Sequence, residues 1–405
     1  MKTFNTFQKY LVITLAGISL FFVGFYFGKQ GLDAKFIKKD YKVEITRKDP
    51  PAKEVDFALF WEVWETLNST YLERPLDAQK MVYGAIKGMV ESLEDPYTSF
   101  LPPAQNEQAE ASLNGTYEGI GAELGSKENQ IIVISPFDGS PAKEAGIRPG
   151  DAILRVDDKG TSGMTVTDVV KLIRGDAGTV VKLTIGRAGE KEPKEITIKR
   201  GQIKIDSITW EDKKNGIAYI RISRFGDDTN KLWDESVAKI NTEMPDINAV
   251  IVDVRGNPGG YLDSAIHIAG EFFTDKPVIY EEYASGKQVE RSTERIGSLN
   301  GVPVVVLIDE GSASASEILA AALRDNAGAV LVGQKSFGKG TIQDVRNFED
   351  GSGVHITIAK WLTPNKEWVH EKGIEPKIKV EVTSEDIEAD KDPQLDKAIE
   401  TAKNF

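Results

Sequence analysis

The sequence predicts an α/β protein with a sheet-built core, a strand-rich module ahead of it and a helical segment ahead of both. Three observations carry that prediction. From residue 201 onward, apolar runs of strand length alternate with helical stretches, the pattern of strands buried in a covered sheet. Residues 106–200 instead hold short β-rich runs separated by Gly and Pro turns. Residues 53–105 place their apolar side chains at helical spacing. A chain of 405 residues has room for all three.

At the N-terminus, Leu11 to Gly28 is an uncharged run preceded by Lys2 and Lys9. As a helix it spans roughly 27 Å, close to the ~30 Å of a bilayer core. No small-x-small cleavage site precedes Lys29, so residues 1–28 are expected to form a tail and an uncleaved transmembrane signal anchor. Lys29, Lys35, Lys38 and Lys39 follow the span, and charge alone does not orient it. Gly24 and Gly28 make a GxxxG, a pattern compatible with helix pairing and a homo-oligomer. Residues 29–52 are charged and end in Asp49-Pro50-Pro51, which reads as an extended linker.

In the helical segment, Phe57, Phe60, Val63, Trp64 and Leu67 mark one helix, and Met81, Ala85, Met89 and Leu93 a second. The break falls near Arg74-Pro75, and Asp95-Pro96 stops the second helix. In residues 106–200 the expected strands are Gln130 to Ser135, Ala152 to Val156, Val180 to Ile185 and Glu195 to Lys199, with one helix from Thr165 to Arg174. The segment SPAKEAGIRPGDAILRVDDK, with Gly119-Ile120-Gly121-Ala122 before it, resembles a PDZ domain. The resemblance makes Gly119, Ile120, Gly121 and Ala122 the loop whose backbone N–H groups bind a peptide's C-terminal carboxylate. Glycines there let the backbone approach an anion, and a neighbouring strand edge can pair with the peptide.

The core, residues 201–385, is expected to hold strands at Gly216 to Ile222, Ala249 to Val254, Val302 to Ile308, Ala329 to Val332 and Val354 to Ile358. Leu262 to Phe273 and Ser314 to Asp325 are its clearest helices, and Asp392-Pro393 opens a C-terminal helix within 386–405. Composition narrows the chemistry. A net charge of −13 argues against a nucleic-acid surface. The absence of cysteine removes thiolate catalysis, disulfides and cysteine metal sites. His267, His355 and His370 show no metal-ligand spacing and none lies in a glycine-rich loop, which argues against a metal site and a histidine triad alike. His267 is expected in the core.

Three loops remain as places for chemistry. Arg255-Gly256-Asn257-Pro258-Gly259-Gly260 follows the strand AVIVDV, where its backbone N–H groups either make an ordinary tight turn or receive an oxyanion. Gly311-Ser312-Ala313-Ser314-Ala315-Ser316-Glu317 follows PVVVLIDE. Ser314 to Glu317 has capping-box spacing, and a helix N-terminus also suits a nucleophile because it favours developing negative charge beside the N–H of Ala315. Spacing does not choose among Ser312, Ser314 and Ser316. The third loop, Ser336-Phe337-Gly338-Lys339-Gly340, supplies a lysine that can act as base when stripped of water. Two superficial motifs fail there. Gly333 to Lys339 reads GxxxxGK but lacks the following Ser/Thr and helix of a P-loop. Ser336 to Lys339 reads SxxK without the helix or the companion triplets of penicillin-recognising enzymes.

The blocks VDVRGNPGG, GSASASEILAAALRDN, VGQKSFGKGTIQ and ITIAKWLTPN, in this order, resemble the carboxyl-terminal processing (tail-specific) peptidases, the S41-type Ser–Lys family with a PDZ domain. That resemblance covers residues from about 53 to 405 and implies a crotonase/ClpP-like α/β core with an inserted PDZ domain. It makes Ser314 the nucleophile, Lys339 the general base and Gln343 the residue that orients the lysine. Ala315 and Gly260 become the oxyanion-hole donors, and no cofactor is implied. A lysine of ordinary pKa about 10.4 must fall by roughly 3 units, about 4 kcal/mol, to act near neutrality. A neutral amide at Gln343 adds no counter-charge. The expected protein is a single-pass cell-membrane serine endopeptidase, its catalytic part extracytoplasmic. Its PDZ domain would capture apolar protein C-termini and gate the site through helix 165–174 and Arg174. A PDZ peptide-binding scaffold with a silent core is the alternative from another class.

Overall fold

Burial on both faces explains why the core strands read as unbroken apolar runs. The computed structural model describes residues 56–405 except 128, 129, 138, 188, 191, 384, 387, 388 and 390, with the backbone of 32–37 and 42–47 and scattered helical positions between 15 and 25. The chain divides into two units, residues 1–78 and 79–405. The first contains β1 (Leu32–Ile37) and β2 (Lys42–Arg47), paired antiparallel within the stretch expected as a linker, then α1 (Ala58–Thr70). The expected span at 11–28 lies largely outside the described residues; among those described, no helix is long and apolar enough to cross a membrane.

The second unit opens with α2 (Ala78–Glu91), β3 (Ser99–Leu101) and α3 (Pro103–Leu113). A strand-rich module follows: β4 (Thr116–Gly119), β5 (Ala122–Lys127), β6 (Gln130–Pro136), α4 (Pro141–Glu144), β7 (Ala152–Val156), β8 (Lys159–Gly160), α5 (Val166–Ile173), β9 (Val180–Gly186), β10 (Lys194–Lys199) and β11 (Gly201–Lys204). Its main sheet runs β10-β9-β7-β6-β5, while β4 and β11 form a separate antiparallel ribbon. Val133, Ile153, Val169, Leu183 and Ile185 fill its core. Thr165 and Asp168 cap α5 reciprocally, which fixes where that helix starts. Asp151 is buried and takes a two-pronged ion pair from Arg187 (2.7 and 2.8 Å), pinning the turn before β7.

The core comprises β12 (Ile208–Asp212), β13 (Ile217–Ile222), α6 (Thr229–Glu243), β14 (Ala249–Asp253), α7 (Leu262–Ala269), β15 (Pro277–Tyr283), β16 (Gln288–Ser292), β17 (Val304–Ile308), α8 (Ala315–Ala327), β18 (Val330–Gly333), β19 (Thr341–Asn347), β20 (Gly353–Leu362), β21 (Ile378–Lys379) and α9 (Pro393–Ala402). One sheet runs β12-β13-β14-β17-β18-β21, parallel from β13 onward. Strand alternation sends Ala218, Ile220, Val250, Val252 and Val306 toward Trp233, Ile268 and Leu319 on the helices of one face. Ile217, Tyr219, Ile251, Val305 and Leu307 face the other way, where Ala398 and Ala402 of α9 cover them. A second, antiparallel sheet runs β16-β15-β20-β19, with β3 beside β20. Helices α3 and α6 and strands β3, β4, β5, β8, β11, β12, β15, β16, β19 and β21 lie outside the elements named from the sequence. Two of these strands, β16 and β19, carry mostly polar, partly exposed residues and so show no apolar run.

Candidate active site

In an open parallel sheet, ligands bind beyond the carboxyl ends of the strands. The loops after β14, β17 and β18 leave that edge together, and they are the three that the sequence singled out. Their backbones are knitted. Asp309 Oδ1 accepts the N–H groups of Gly256 (2.7 Å) and Gly311 (3.0 Å), and Ala313 N–H donates to the Asn257 carbonyl (3.0 Å).

This packing separates the three serines. Ser312 and Ser316 are fully buried and donate to the carbonyls of Val254 (2.8 Å) and Asn257 (2.9 Å), so both hold the loop. Ser314 between them is half-buried at the N-cap of α8, with φ 54° and ψ −115°. A non-glycine residue in that region is strained, and such strain persists only where the surroundings impose it. Ala315 is the first residue of the helix, and its N–H has no acceptor among the described residues.

The glycines beside Ser314 are dictated by space. A Cβ on Gly259 would fall 2.9 Å from the Ser314 Cβ, and one on Gly260 only 2.1 Å from the Phe225 carbonyl oxygen. Their φ values of 104° and 134° also favour glycine. Gly259 N–H is taken by Asn257 Oδ1 (2.9 Å), whereas Gly260 N–H has no acceptor among the described residues. Gly260 and Ala315 thus each present a free backbone N–H at the Ser314 loop.

Glu317 joins the serine loop to the lysine loop. Its fully buried carboxylate accepts the N–H of Ser314 (2.9 Å), the hydroxyl of Ser336 (2.6 Å), and the N–H groups of Gly338 (2.7 Å) and Lys339 (2.8 Å). The sequence marks Glu317 only as a capping-box partner, because the spacing does not reveal donors arriving from 19 to 22 residues away. Burial pushes the Lys339 ammonium below its ordinary value; Asp95 and Glu317 oppose that shift without cancelling it. No carboxylate pairs with it directly among the described residues.

Gln343 differs from expectation in its contacts. Its amide donates to the hydroxyls of Thr341 (3.1 Å) and Thr357 (3.3 Å), not to Lys339. Tyr97 is a residue that sequence reasoning missed: its ring lies 5.3 Å from Lys339 Nζ. Of the histidines, His355 sits on β20 close enough for the lysine's charge to push its pKa down, after burial does the same. His267 is half-buried among Asp234 and Arg295 rather than in the apolar core, because its helix carries it to a charged edge.

Gly119, Ile120, Gly121 and Ala122 line a cavity of about 140 Å³ with Val170, Ile173 and Ile203. It lies between α5 and the start of β5, an edge strand of its sheet. Arg174 also lines it, stacked over the Tyr117 ring at 4.7 Å, which keeps this arginine engaged within the module.

Comparisons with known proteins find relatives for the chain. The peptidase family S41 profile covers residues 216–380, a PDZ-domain profile residues 132–187, and a profile described as the activating protease CtpB N-terminal domain residues 18–103. Carboxy-terminal processing protease CtpA of Bacillus subtilis (strain 168) is 39% identical over 322 residues, 79% of this chain and 68% of that protein. CtpB of the same organism is 36% identical over 380 residues, covering 92% and 78%. Among solved structures, the photosystem II D1 C-terminal processing protease aligns with a TM-score of 0.50 at 26% identity, over 80% of this chain and 86% of that one. A putative S41 protease from Bacteroides fragilis shares the fold with a TM-score of 0.59 at 16% identity, over 88% and 99%.

Proposed function

The chain belongs to peptidase family S41 as a carboxy-terminal processing serine protease with a PDZ domain, and we propose how its residues divide the work. Ser314 attacks the scissile carbonyl while neutral Lys339 takes its hydroxyl proton. The resulting oxyanion sits against the N–H groups of Gly260 and Ala315, which need no reorganisation to receive it. Collapse expels the amine product, which takes the proton from Lys339 and leaves an acyl-Ser314. Water, deprotonated by the same lysine, then hydrolyses that ester. Gln343, four residues beyond the lysine, is tied to Thr341 and Thr357 and acts on Lys339 through the backbone of its loop and strand. One observation carries the reading: a strained serine and a desolvated, unpaired lysine belong to loops stapled together by one buried carboxylate.

The finer reading of the whole chain goes with this. The core, 201–385, is of the crotonase/ClpP-like type, with the helical segment 53–105 before the PDZ domain, 106–200, and the C-terminal helix in 386–405. The groove at Gly119 to Ala122 takes apolar protein C-termini; the aliphatic lining of its cavity supports this. Residues 11–28 anchor the chain in the cell membrane with the catalytic part outside the cytoplasm, a reading supported by their uncharged run. Cleavage of unfolded casein by the wild type and by Ser314→Ala tests the assignment. The variant is expected to lose activity by several orders of magnitude; equal activity in both would refute it.

A further inference from the structure

We propose that Tyr97 is a positioning residue for Lys339, a lid whose ring face covers the amine and keeps water from it. This rests on the reading of Lys339 as the base. The Nζ lies 5.3 Å from the ring centroid. Tyr97 belongs to the turn between α2 and β3, far from the lysine in sequence, and three contacts fasten that turn in place. Asp95 accepts the Tyr97 N–H (3.0 Å) and the Thr98 hydroxyl (2.6 Å). Thr98 is buried, and its oxygen accepts the N–H of Thr357 on β20 (3.0 Å). Thr357 in turn receives the Gln343 amide (3.3 Å), so the turn and Gln343 share one anchor.

The Tyr97 ring also makes a T-shaped contact with the His370 ring (centroids 5.9 Å), which stacks on Trp368 (5.1 Å). Trp368 donates to the carbonyl of Gly340, the residue after the lysine (2.9 Å). An aromatic row therefore roofs the Lys339–Gly340 backbone. A ring face attracts an ammonium, but less strongly than the water it displaces, so the cover favours the neutral amine. The other charged or titratable groups around the pair are Asp95 on the turn, Glu317 on α8, His355 on β20, and His370 with Glu371 after β20.

The test is the pH dependence of kcat/KM for casein cleavage by the full chain. Tyr97→Ala admits water to the amine, so the acid limb is expected to move up by about one pH unit, about a tenfold loss below the limb. Tyr97→Phe restores the ring and should bring the limb back to the wild-type position. A misfolded fraction lowers the plateau without moving the limb. Repeating the comparison in a His370→Gln background should preserve the shift. A Tyr97→Ala limb that coincides with wild type overturns the proposal. So does a Tyr97→Phe limb displaced as far as that of alanine, or a shift that vanishes with His370. Lys339→Ala separates the two levels. If it keeps activity, the base assignment falls; if it is inactive while the Tyr97→Ala limb stays put, only the lid falls.

Discussion

Lys339 stands between opposing influences. Burial drives its charge away, while Asp95 and Glu317 pull it back without pairing to it. The balance matters because the lysine is a base only above its own pKa: as pH falls through that value the amine protonates and cleavage stops. A third carboxylate close by would tip the balance. Gln343→Glu adds one beside Thr357, on which Asp95 also leans. Its acid limb is expected to rise by about one pH unit, with about a tenfold loss of kcat/KM below it. A pH–rate profile overlaying that of the wild type would show that position 343 does not reach the lysine electrostatically. Lys339 was legible as a residue, and Ser314 as one of three serines in its loop, singled out only by the resemblance to the Ser–Lys family. Glu317 was legible only as a cap. Its second role depends on donors from Ser336, Gly338 and Lys339, which arrive through the fold.

At the scale of elements, α9 does more than close the chain. Asp392 accepts the Leu395 N–H (2.9 Å), capping α9, and takes both outer nitrogens of Arg255 (2.8 Å each). Arg255 also grips the fully buried Asp253, which the Tyr219 hydroxyl reaches at 2.8 Å. The C-terminal helix is thereby bolted to the root of the loop that ends at Gly260. Burial of Asp392 opposes its ionisation, but the Arg255 hydrogen bonds outweigh that and hold its carboxyl below the ordinary range. The stabilisation is therefore full above the unfolded value of about 3.9 and lost as pH falls through the lower folded value. Asp392→Ala is expected to cost about 1–2 kcal/mol, allowing for solvent screening of a partly exposed pair. Denaturant unfolding at neutral pH should show this cost, and the gap from wild type should close in strong acid. A gap that persisted there would deny the ion pair its part.

Across the whole molecule, the two chain segments that lead into and out of the PDZ module meet at one side chain. Arg224 is buried and donates to the carbonyls of Leu113 (3.1 Å), Asn114 (3.4 Å) and Ile205 (2.6 Å) while pairing with Asp228. The next residue, Phe225, bonds through its N–H to Gly259 and through its carbonyl to Tyr261. The module's two connections and the loop of Gly260 therefore meet at adjacent residues, Arg224 and Phe225. A PDZ groove that reads a terminal carboxylate predicts that C-terminal amidation of an unfolded substrate raises KM by about tenfold, about 1.4 kcal/mol, with the cleavage site unchanged. Equal KM for free and amidated substrates would remove the carboxylate loop from recognition.

The sequence by itself determined the catalytic vocabulary: no thiol, three scattered histidines, and serine and lysine in glycine-rich loops after buried strands. It also determined the strand-rich module, because turns and short β runs are local signals. It did not reveal β16 and β19, whose polar residues carry no local signal, or the helix α6. Only the tertiary structure decided which serine stands strained while its neighbours are tied down, and which glycine keeps a free N–H. It alone brought Asp95, Tyr97 and Glu317 to one lysine. Periodicity records what a residue does for its own element. Desolvation, hydrogen-bond staples and ring contacts are made by residues distant in sequence, so they exist only once the sheet has gathered its loops.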